Sequence, residues 1–151
     1  MEISNVIIRP FAETDLNEWF RLRKLLWDGT SDEDHQNEMF DIVSDPESQF
    51  VAVADAGSEG LCGFIEASIR PMAEDCESED VGYLEGWFVE EHARRQGIGR
   101  TLVASAENWA REHGCSEMAS DAELENVVSL DAHTRLGYSE TSRLIHLKKY
   151  L

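Results

Sequence analysis

One stretch of eight residues, ARRQGIGR at positions 93–100, constrains the fold more than any other part of the sequence. An apolar run of strand character, VGYLEGWFV, precedes it, and apolar residues at helical spacing follow from about Ile98 to His113. The stretch therefore predicts a strand that turns directly into a helix. The first amides of such a helix have no partner within the helix, and with the helix dipole they form an anion-binding site.

The residues of this turn are suited to a phosphate group. Gly97 and Gly99 carry no Cβ, so we expect them to let the backbone approach an anion closely. Arg94, Arg95 and Arg100 add positive charge in a chain whose formal net charge is -18. The alternative is a helix N-terminus that carries basic residues without a ligand. The stretch has neither the Gly-Lys-Ser/Thr of a Walker loop nor the full G-x-G-x-x-G of a dinucleotide site.

The remaining patterns predict a single mixed α/β domain over residues 1–151. Strands are predicted at EISNVIIRPF, QFVAVAD, LCGFIEASIR, VGYLEGWFV, SEMASDA and, as one or two final strands, YSETSRLIHLKKYL. Helices are predicted at DLNEWFRLRKLLW with Thr14 or Asp15 as its cap, at about Glu33 to Val43, at about Ile98 to His113, and at NVVSLDAHTRL. Together they give a mixed central sheet flanked by about four helices.

Charge and composition narrow the classes of ligand. The 31 Asp and Glu residues against 13 Lys and Arg predict a surface that favours cationic ligands, or one that only aids solubility. Such a surface repels nucleic acid and anionic lipid, so we expect no nucleic-acid partner. No apolar run reaches the roughly 20 residues of a membrane span, and a signal peptide is absent, which predicts a cytoplasmic protein without a membrane partner. Three cysteines and five histidines show no metal-ligand spacing, so we expect no metal.

The turn and its surroundings resemble the GCN5-related N-acetyltransferases, the GNAT family. RRQGIG is similar to the R/Q-x-x-G-x-G/A signature of that family, and ENVVSLDAHTRLGY is similar to its asparagine helix. The resemblance implies the GNAT fold, with acetyl-CoA bound by its pyrophosphate at the turn. It also implies that the strand Gly86 to Val89 binds the pantetheine arm and splays away from the next strand. The cofactor-binding residues implied are Phe88, Val89, Arg94, Arg95, Gln96, Gly97, Ile98, Gly99, Arg100 and Asn126.

A narrower resemblance concerns the aminoglycoside 6′-N-acetyltransferases. FIEASIR, YLEGWFV, ARRQGIG, ASDAELEN and HTRLGYSET occur in that order, and Trp27 in RLRKLLWD fits the same group. The implied reaction acetylates the 6′-amine of an aminoglycoside, a polycation that acidic side chains would bind and steer. Strand-borne acids (Glu66, Glu85, Asp121) are more informative than the acids of residues 32–38 and 74–80, which are solvated loops or a flap over the ligand.

Acetyl transfer from a thioester to an amine needs a base for the amine, a donor to the oxyanion and an acid for the thiolate. By resemblance Glu85 and Asp121 are the candidate bases, and the sequence leaves the choice between them open. The alternative is that both are structural strand ends. The backbone N–H of Val89 is the implied oxyanion donor. His133 stands seven residues after Asn126, where many family members have tyrosine, so it is either the acid or a packed helix histidine.

Aromatic and terminal residues complete the predicted site. Trp27 is expected to stack on a sugar ring or a cation, whereas Trp19 and Trp109 are expected in the core. Glu140 is a candidate ligand contact that reaches the partner subunit's site in an expected homodimer. The substrate-binding set is Trp27, Glu85, Asp121 and Glu140.

Two other functions remain open at this point. One is a GNAT enzyme for another amine, such as a polyamine or a protein N-terminus, because IRPMAEDCESED is less typical of the narrower group. The other is a non-catalytic acetyl-CoA-binding module.

Overall fold

The computed structural model describes residues 5–151. Within them one sheet has the strand order β1-β2-β3-β4-β5. Its strands are β1 (Ile7–Pro10), β2 (Gln49–Asp55), β3 (Leu61–Arg70), β4 (Val81–Val89) and β5 (Met118–Ser120). The helices are α1 (Leu16–Leu26), α2 (Asp32–Val43), α3 (Ile98–Glu112) and α4 (Val127–Arg135). None of the helices in this range is long and apolar enough to cross a membrane.

The sheet is mixed and lies between two layers of helices. β1 to β4 are antiparallel to their neighbours, and β5 joins β4 in parallel. Side chains alternate across β2, so Ala52 and Ala54 pack in the cluster with α3, whereas Val51 and Val53 pack in the cluster with α1 and α2. This alternation confirms the predicted α/β architecture and places α3 on one face of the sheet, with α1 and α2 on the other.

Two tryptophans predicted for the core lie there. Trp19 of α1 is fully buried, in the cluster under α1 and α2. Trp109 of α3 is buried on the opposite face, where it stacks on Phe50 with ring centroids 5.3 Å apart. Each therefore fixes a helix to its own face of the sheet.

Strand β4 changes partners halfway along its length. β5 pairs only with Gly82, Tyr83 and Leu84, so the rest of β4 has no strand on that side among residues 5–151. On its other side, Glu66 of β3 faces Gly86 and Ala67 faces Leu84, which leaves Glu85 as the extra residue of a bulge. The splay between β4 and β5 implied by the family resemblance is therefore present, and it begins at a bulge that carries a carboxylate.

Three predictions about local structure need correction or restriction. Residues 138–151 hold no strand, because an alternating segment forms a strand only beside a partner, and none lies along it in the described part of the chain. Asp15 is the N-terminal cap residue of α1, as predicted, but its side chain makes no capping hydrogen bond to that helix: the carboxylate binds Arg9 and the Ala12 N–H, and Thr14 lies in the 3₁₀ turn before the helix. The start of the predicted first strand, residues 2–4, falls outside the described residues.

Close packing at Gly82 gives a test of the layer arrangement. A Cβ at this position would lie 2.9 Å from the Ala110 Cβ and against the Met118 sulfur, so Gly82→Ala should overpack the contact of β4 with α3 and β5. We expect a loss of about 1–3 kcal/mol in the free energy of unfolding, measured by urea denaturation. Gly29→Ala is the control, because a Cβ there meets no atom within 4 Å. Equal stability of the two variants would contradict the packing described.

Candidate active site

The turn between β4 and α3 exposes backbone donors. Gly97 is the N-terminal cap of α3 and has a φ of 81°, in the left-handed region that favours glycine. The first helical hydrogen bond runs from the Thr101 N–H to the Gly97 carbonyl, which leaves the amides before Thr101 free for a ligand. A Cβ on Gly97 would meet no atom within 4 Å, so the space above the turn is open. This geometry suits an anion.

The polar side chains of the turn are exposed to solvent. They are those of Arg94, Arg95, Gln96 and Arg100. Arg94 also donates from Nε to the Val89 carbonyl at 2.8 Å, which ties the turn to the end of β4. A cavity of about 660 Å³ borders the turn and is lined by Leu25, Phe88, Glu90, Glu91, His92 and Arg94. The predicted cofactor residues Phe88 and Arg94 thus share one surface.

A side chain at Gly99 would disturb packing, which the sequence analysis did not predict. A Cβ at this position would lie 3.1 Å from the Trp87 ring, so the absence of a side chain lets the first turn of α3 rest on that indole. Trp87 in turn meets His133 of α4 edge to face, with centroids 5.4 Å apart. The glycine is therefore needed for the packing of α3 on β4, whether or not an anion is bound.

A second cavity, of about 500 Å³, has an acidic lining. Its walls are Arg23, Trp27, Thr30, Glu38, Asp41, Ile42, Gln49, Glu66 and Glu85. Four carboxylates therefore face one guanidinium, and a cationic ligand would find charge-assisted hydrogen bonds there. Trp27 and Glu85 were predicted as substrate-binding residues, and the structure brings both to this cavity, which we name the acidic cavity.

The guanidinium of the acidic cavity belongs to a buried cluster. The Arg23 side chain is only 1% exposed, and its Nη1 donates to Glu66 Oε1 at 2.6 Å. Glu66 also accepts from Trp19 Nε1 at 3.0 Å, and Arg23 donates to Glu38 and to His35 Nδ1. Burial raises the pKa of the Glu66 carboxyl, and Arg23 opposes that shift. A charged residue within the apolar side of helix α1 was the sequence signal for this cluster.

The Trp27 ring is held in the wall of the acidic cavity. The Arg23 guanidinium lies 4.7 Å from the ring centroid, which is within the range of a cation–π interaction. On the β4 side, a Cβ on Gly86 would lie 2.8 Å from Trp27 Cζ2, so the ring rests on the bare backbone of that strand. The indole is thus fixed before any substrate binds.

The two candidate bases are joined through residues that the sequence analysis did not assign. Glu85 accepts from Ser68 Oγ at 2.6 Å and from Arg70 through Nε at 3.0 Å and through Nη2. The Arg70 guanidinium lies 3.5 Å from the centroid of the Tyr83 ring, and the Tyr83 hydroxyl donates to Asp121. A continuous chain of contacts therefore runs from Glu85 on β4 to Asp121 just after β5.

His133 and Asn126 have partners within the protein. The Asn126 side chain accepts from the Ser129 N–H at 3.1 Å and so caps α4. His133 Nδ1 lies 2.7 Å from the Ser129 carbonyl, and its Nε2 lies 2.8 Å from Ser120 Oγ. Because a carbonyl only accepts, Nδ1 donates to the Ser129 carbonyl, and Nε2 faces the Ser120 hydroxyl.

Glu140 lies apart from both cavities. It belongs to the exposed C-terminal segment, residues 139–151, where it pairs with Arg143. That contact lowers the pKa of the Glu140 carboxyl. In a single chain it does not join the other substrate-binding candidates.

Comparison with known proteins gives the family. The model of the acetyltransferase (GNAT) family matches residues 15–138. An aminoglycoside N(6′)-acetyltransferase type 1 of Klebsiella aerogenes is 45% identical over 98% of this chain and 99% of its own length.

Solved structures agree with this match. The structure of AAC(6′)-Iy in complex with the bisubstrate analogue CoA-S-monomethyl-acetylneamine is similar, with a TM-score of 0.89 and 36% identity, over 98% of this chain and all of that one. The 6′-N-acetyltransferase AAC(6′)-Ih of Acinetobacter baumannii has a TM-score of 0.88 and 35% identity, over 97% of this chain and 99% of its own. Fold, turn and sequence thus agree that this chain belongs to the GNAT family of acetyltransferases.

Proposed function

We propose that this protein transfers the acetyl group of acetyl-CoA to the 6′-amine of aminoglycosides. The observation that carries the proposal is the acidic cavity, which meets β4 at Glu85, where β4 begins to separate from β5. The relatives named above, at 35–45% identity over nearly the whole chain, are described as aminoglycoside 6′-acetyltransferases and support the same substrate.

The charge of the acidic cavity favours a polycation over a simple amine. Glu38 and Asp41 come from α2, whereas Glu66 and Glu85 come from neighbouring strands, so the carboxylates are distributed around the space. Arg23, the guanidinium in that lining, is already bound to Glu66 and Glu38. A ligand with several ammonium groups on a rigid ring system can satisfy such a wall at several points.

The residues of the turn and of the open edge of β4 are suited to acetyl-CoA. The free amides after Gly97, with Arg94, Arg95 and Arg100, would hold the pyrophosphate, and Gln96, Ile98 and Gly99 belong to the same turn. Phe88 and Val89, where β4 has no strand on the β5 side among residues 5–151, would hold the pantetheine arm. Asn126 at the start of α4 is assigned to the same ligand by family resemblance. When bound, this ligand supplies the acetyl thioester that the amine attacks.

The protein's own residues have three tasks in this reaction. Glu85 or Asp121 accepts the proton of the substrate ammonium, because only the neutral amine has a free electron pair. The Val89 N–H donates to the carbonyl oxygen as negative charge develops there. His133 is assigned to the departing sulfur as the group that would supply its proton, and its Nε2 lies 2.8 Å from Ser120 Oγ.

We also propose a homodimer and a cytoplasmic reaction. The C-terminal segment exposes Leu144, Ile145, Leu147 and Tyr150 without packing them on its own chain, and β5 is a short edge strand. A second copy would cover these side chains and bring Glu140 toward the other subunit's acidic cavity. The cytoplasm is where acetyl-CoA is available to such an enzyme.

Acetylation is tested first. Mixing the protein with acetyl-CoA and kanamycin should release free thiol, whereas a kanamycin analogue with a 6′-hydroxyl in place of the amine should not be acetylated there. Glu85→Gln and Asp121→Asn should each lower kcat/KM by about 10²-fold or more if that residue is the base, with little change in the Kd of acetyl-CoA.

Asp131→Asn on α4 is the matched control, because this exposed aspartate pairs with Arg135 and lines neither cavity. If no aminoglycoside gives thiol release but a polyamine does, the aminoglycoside proposal is wrong and the substrate is the polyamine. Normal turnover in both variants would show that neither carboxylate is the base.

The turn is tested with two glycines of the same backbone conformation. Gly97 and Gly114 have φ values of 81° and 86°, and a Cβ on either meets no atom within 4 Å, so an alanine at either position bears a similar strain. We expect both variants to lose about 1–2 kcal/mol of stability. Only Gly97→Ala should weaken acetyl-CoA binding, by about tenfold in calorimetry. A tenfold increase in Kd corresponds to roughly one lost hydrogen bond to a charged group. Equal Kd values would place the pyrophosphate elsewhere.

The dimer is tested by light scattering. The protein should have twice the chain mass of 17.1 kDa, and Leu147→Asp should shift it toward the monomer by placing a charge in the covered surface. Met72→Asp is the control, because Met72 is equally exposed but lies in the loop between β3 and β4. A wild-type protein of 17.1 kDa at micromolar concentration would refute the dimer.

A further inference from the structure

Arg70 and Tyr83 touch both candidate bases. Arg70 is the last residue of β3, and its guanidinium donates hydrogen bonds to Glu85 from two nitrogens, Nε and Nη2. The same guanidinium covers the Tyr83 ring at 3.5 Å, and the Tyr83 hydroxyl donates to the Asp121 carboxylate. Glu85 lies on β4 and Asp121 directly follows β5, and these two side chains connect them.

The contacts at Glu85 fix the orientation of its carboxylate. Ser68 and Arg70 together supply three donors, which engage both oxygens of the group. A bidentate guanidinium holds a carboxylate in one plane more strictly than a point charge does. Since Glu85 is the bulged residue of β4, its backbone is also displaced from the regular ladder. The side chain is therefore aimed by the bulge and held by Arg70.

The contact at Asp121 depends on a tyrosine that keeps its proton. Burial and the hydrogen bond to Asp121 both raise the pKa of the Tyr83 hydroxyl. The hydroxyl therefore remains a donor over the range of pH in which an acetyltransferase works. It holds the Asp121 side chain to β4 at the point where β5 ends.

Arg70 is a second guanidinium beside this group of acids. Its partner Glu85 also lines the acidic cavity, where the other guanidinium, that of Arg23, is engaged by Glu66 and Glu38. The hydrogen bond to Glu85, and the charges of Glu85 and Asp121, raise the pKa of Arg70. Arg70 therefore stays charged and keeps its planar set of donors directed at Glu85.

We propose that Arg70 and Tyr83 are positioning residues of the acetyl-transfer site: they hold Glu85 and Asp121 in the orientation that receives the substrate ammonium. The proposal rests on the proposed function, because it assigns the support of the same two carboxylates. Neither residue has to touch the substrate for this role.

The test compares three single variants and the double variant Arg70→Gln/Tyr83→Phe in kcat and KM with kanamycin. Arg70→Gln should lower kcat by about 10²-fold with little change in the KM of acetyl-CoA, because the candidate base is no longer held in place. Arg70→Lys should recover part of that loss and stay about tenfold below the wild type, because a lysine retains the charge but does not bind both carboxylate oxygens in one plane. Tyr83→Phe should lower kcat with no change in the Kd of acetyl-CoA.

Arg135→Gln on α4 is the control for loss of one exposed, paired arginine, and it should leave kcat and KM unchanged. Melting temperature and acetyl-CoA binding show that each variant is folded. The Kd of kanamycin without acetyl-CoA, measured by calorimetry, gives a readout that does not need turnover, and binding should weaken in Arg70→Gln because the Glu85 carboxylate is no longer held in one orientation.

Two results would overturn the proposal. If Arg70→Gln binds kanamycin more tightly and retains kcat, Arg70 competes with the substrate instead of positioning its partners. If the effects of Arg70→Gln and Tyr83→Phe on kcat are small, or simply add in the double variant, the two residues do not act through one connected site. Failure of the proposed function is distinguishable, because the wild-type protein would then release no thiol with any aminoglycoside.

Discussion

A buried guanidinium, that of Arg23, joins the elements that surround the acidic cavity. Arg23 reaches from α1 to Glu66 on β3 and to Glu38 on α2, so three elements share one charge cluster. An unpaired charge in a protein interior is strongly unfavourable, and removal of either partner would leave one there. The relative positions of α1, α2 and the sheet are therefore constrained, and so is the acidic cavity that they enclose. Trp27, which lies over the same guanidinium, depends on the same interaction.

Strand β4 borders both proposed ligand sites because it has two kinds of neighbour. Its first half lies between β3 and β5, whereas its second half, from Glu85 onward, is free of a strand on the β5 side in the described part of the chain. The free half runs directly into the turn that ends at Gly97. One continuous stretch of backbone thus leads from the acidic cavity to the turn that is proposed to bind acetyl-CoA, and the proposed reaction needs such a connection to bring an amine to a thioester.

Most helices and strands, and the turn between β4 and α3, were predictable because they depend on near neighbours in the sequence. β2, β3 and β4 begin and end where their apolar patterns do, and α3 begins at the predicted Ile98. The turn was predictable for the same reason, since a strand, a glycine and a helix start lie within a few residues. The residues that the sequence analysis did not assign, such as Arg70 and Tyr83, gain their meaning from partners on other strands. The predicted final strands failed because an alternating pattern does not supply the neighbouring strand that a sheet needs.

By itself the sequence determined most of the strands and helices and the glycine-rich turn between β4 and α3, since each depends on contacts within about one turn or strand. Its motifs indicated the family by resemblance, and its composition predicted an acidic surface. Only the tertiary structure decided which acids meet in one cavity, that Arg23 is buried among them, and that Arg70 and Tyr83 link Glu85 to Asp121. The physical reason is that charge and hydrogen-bond interactions act over a few ångströms in space. Residues such as Arg23 and Glu66 come within that range only after the chain has folded.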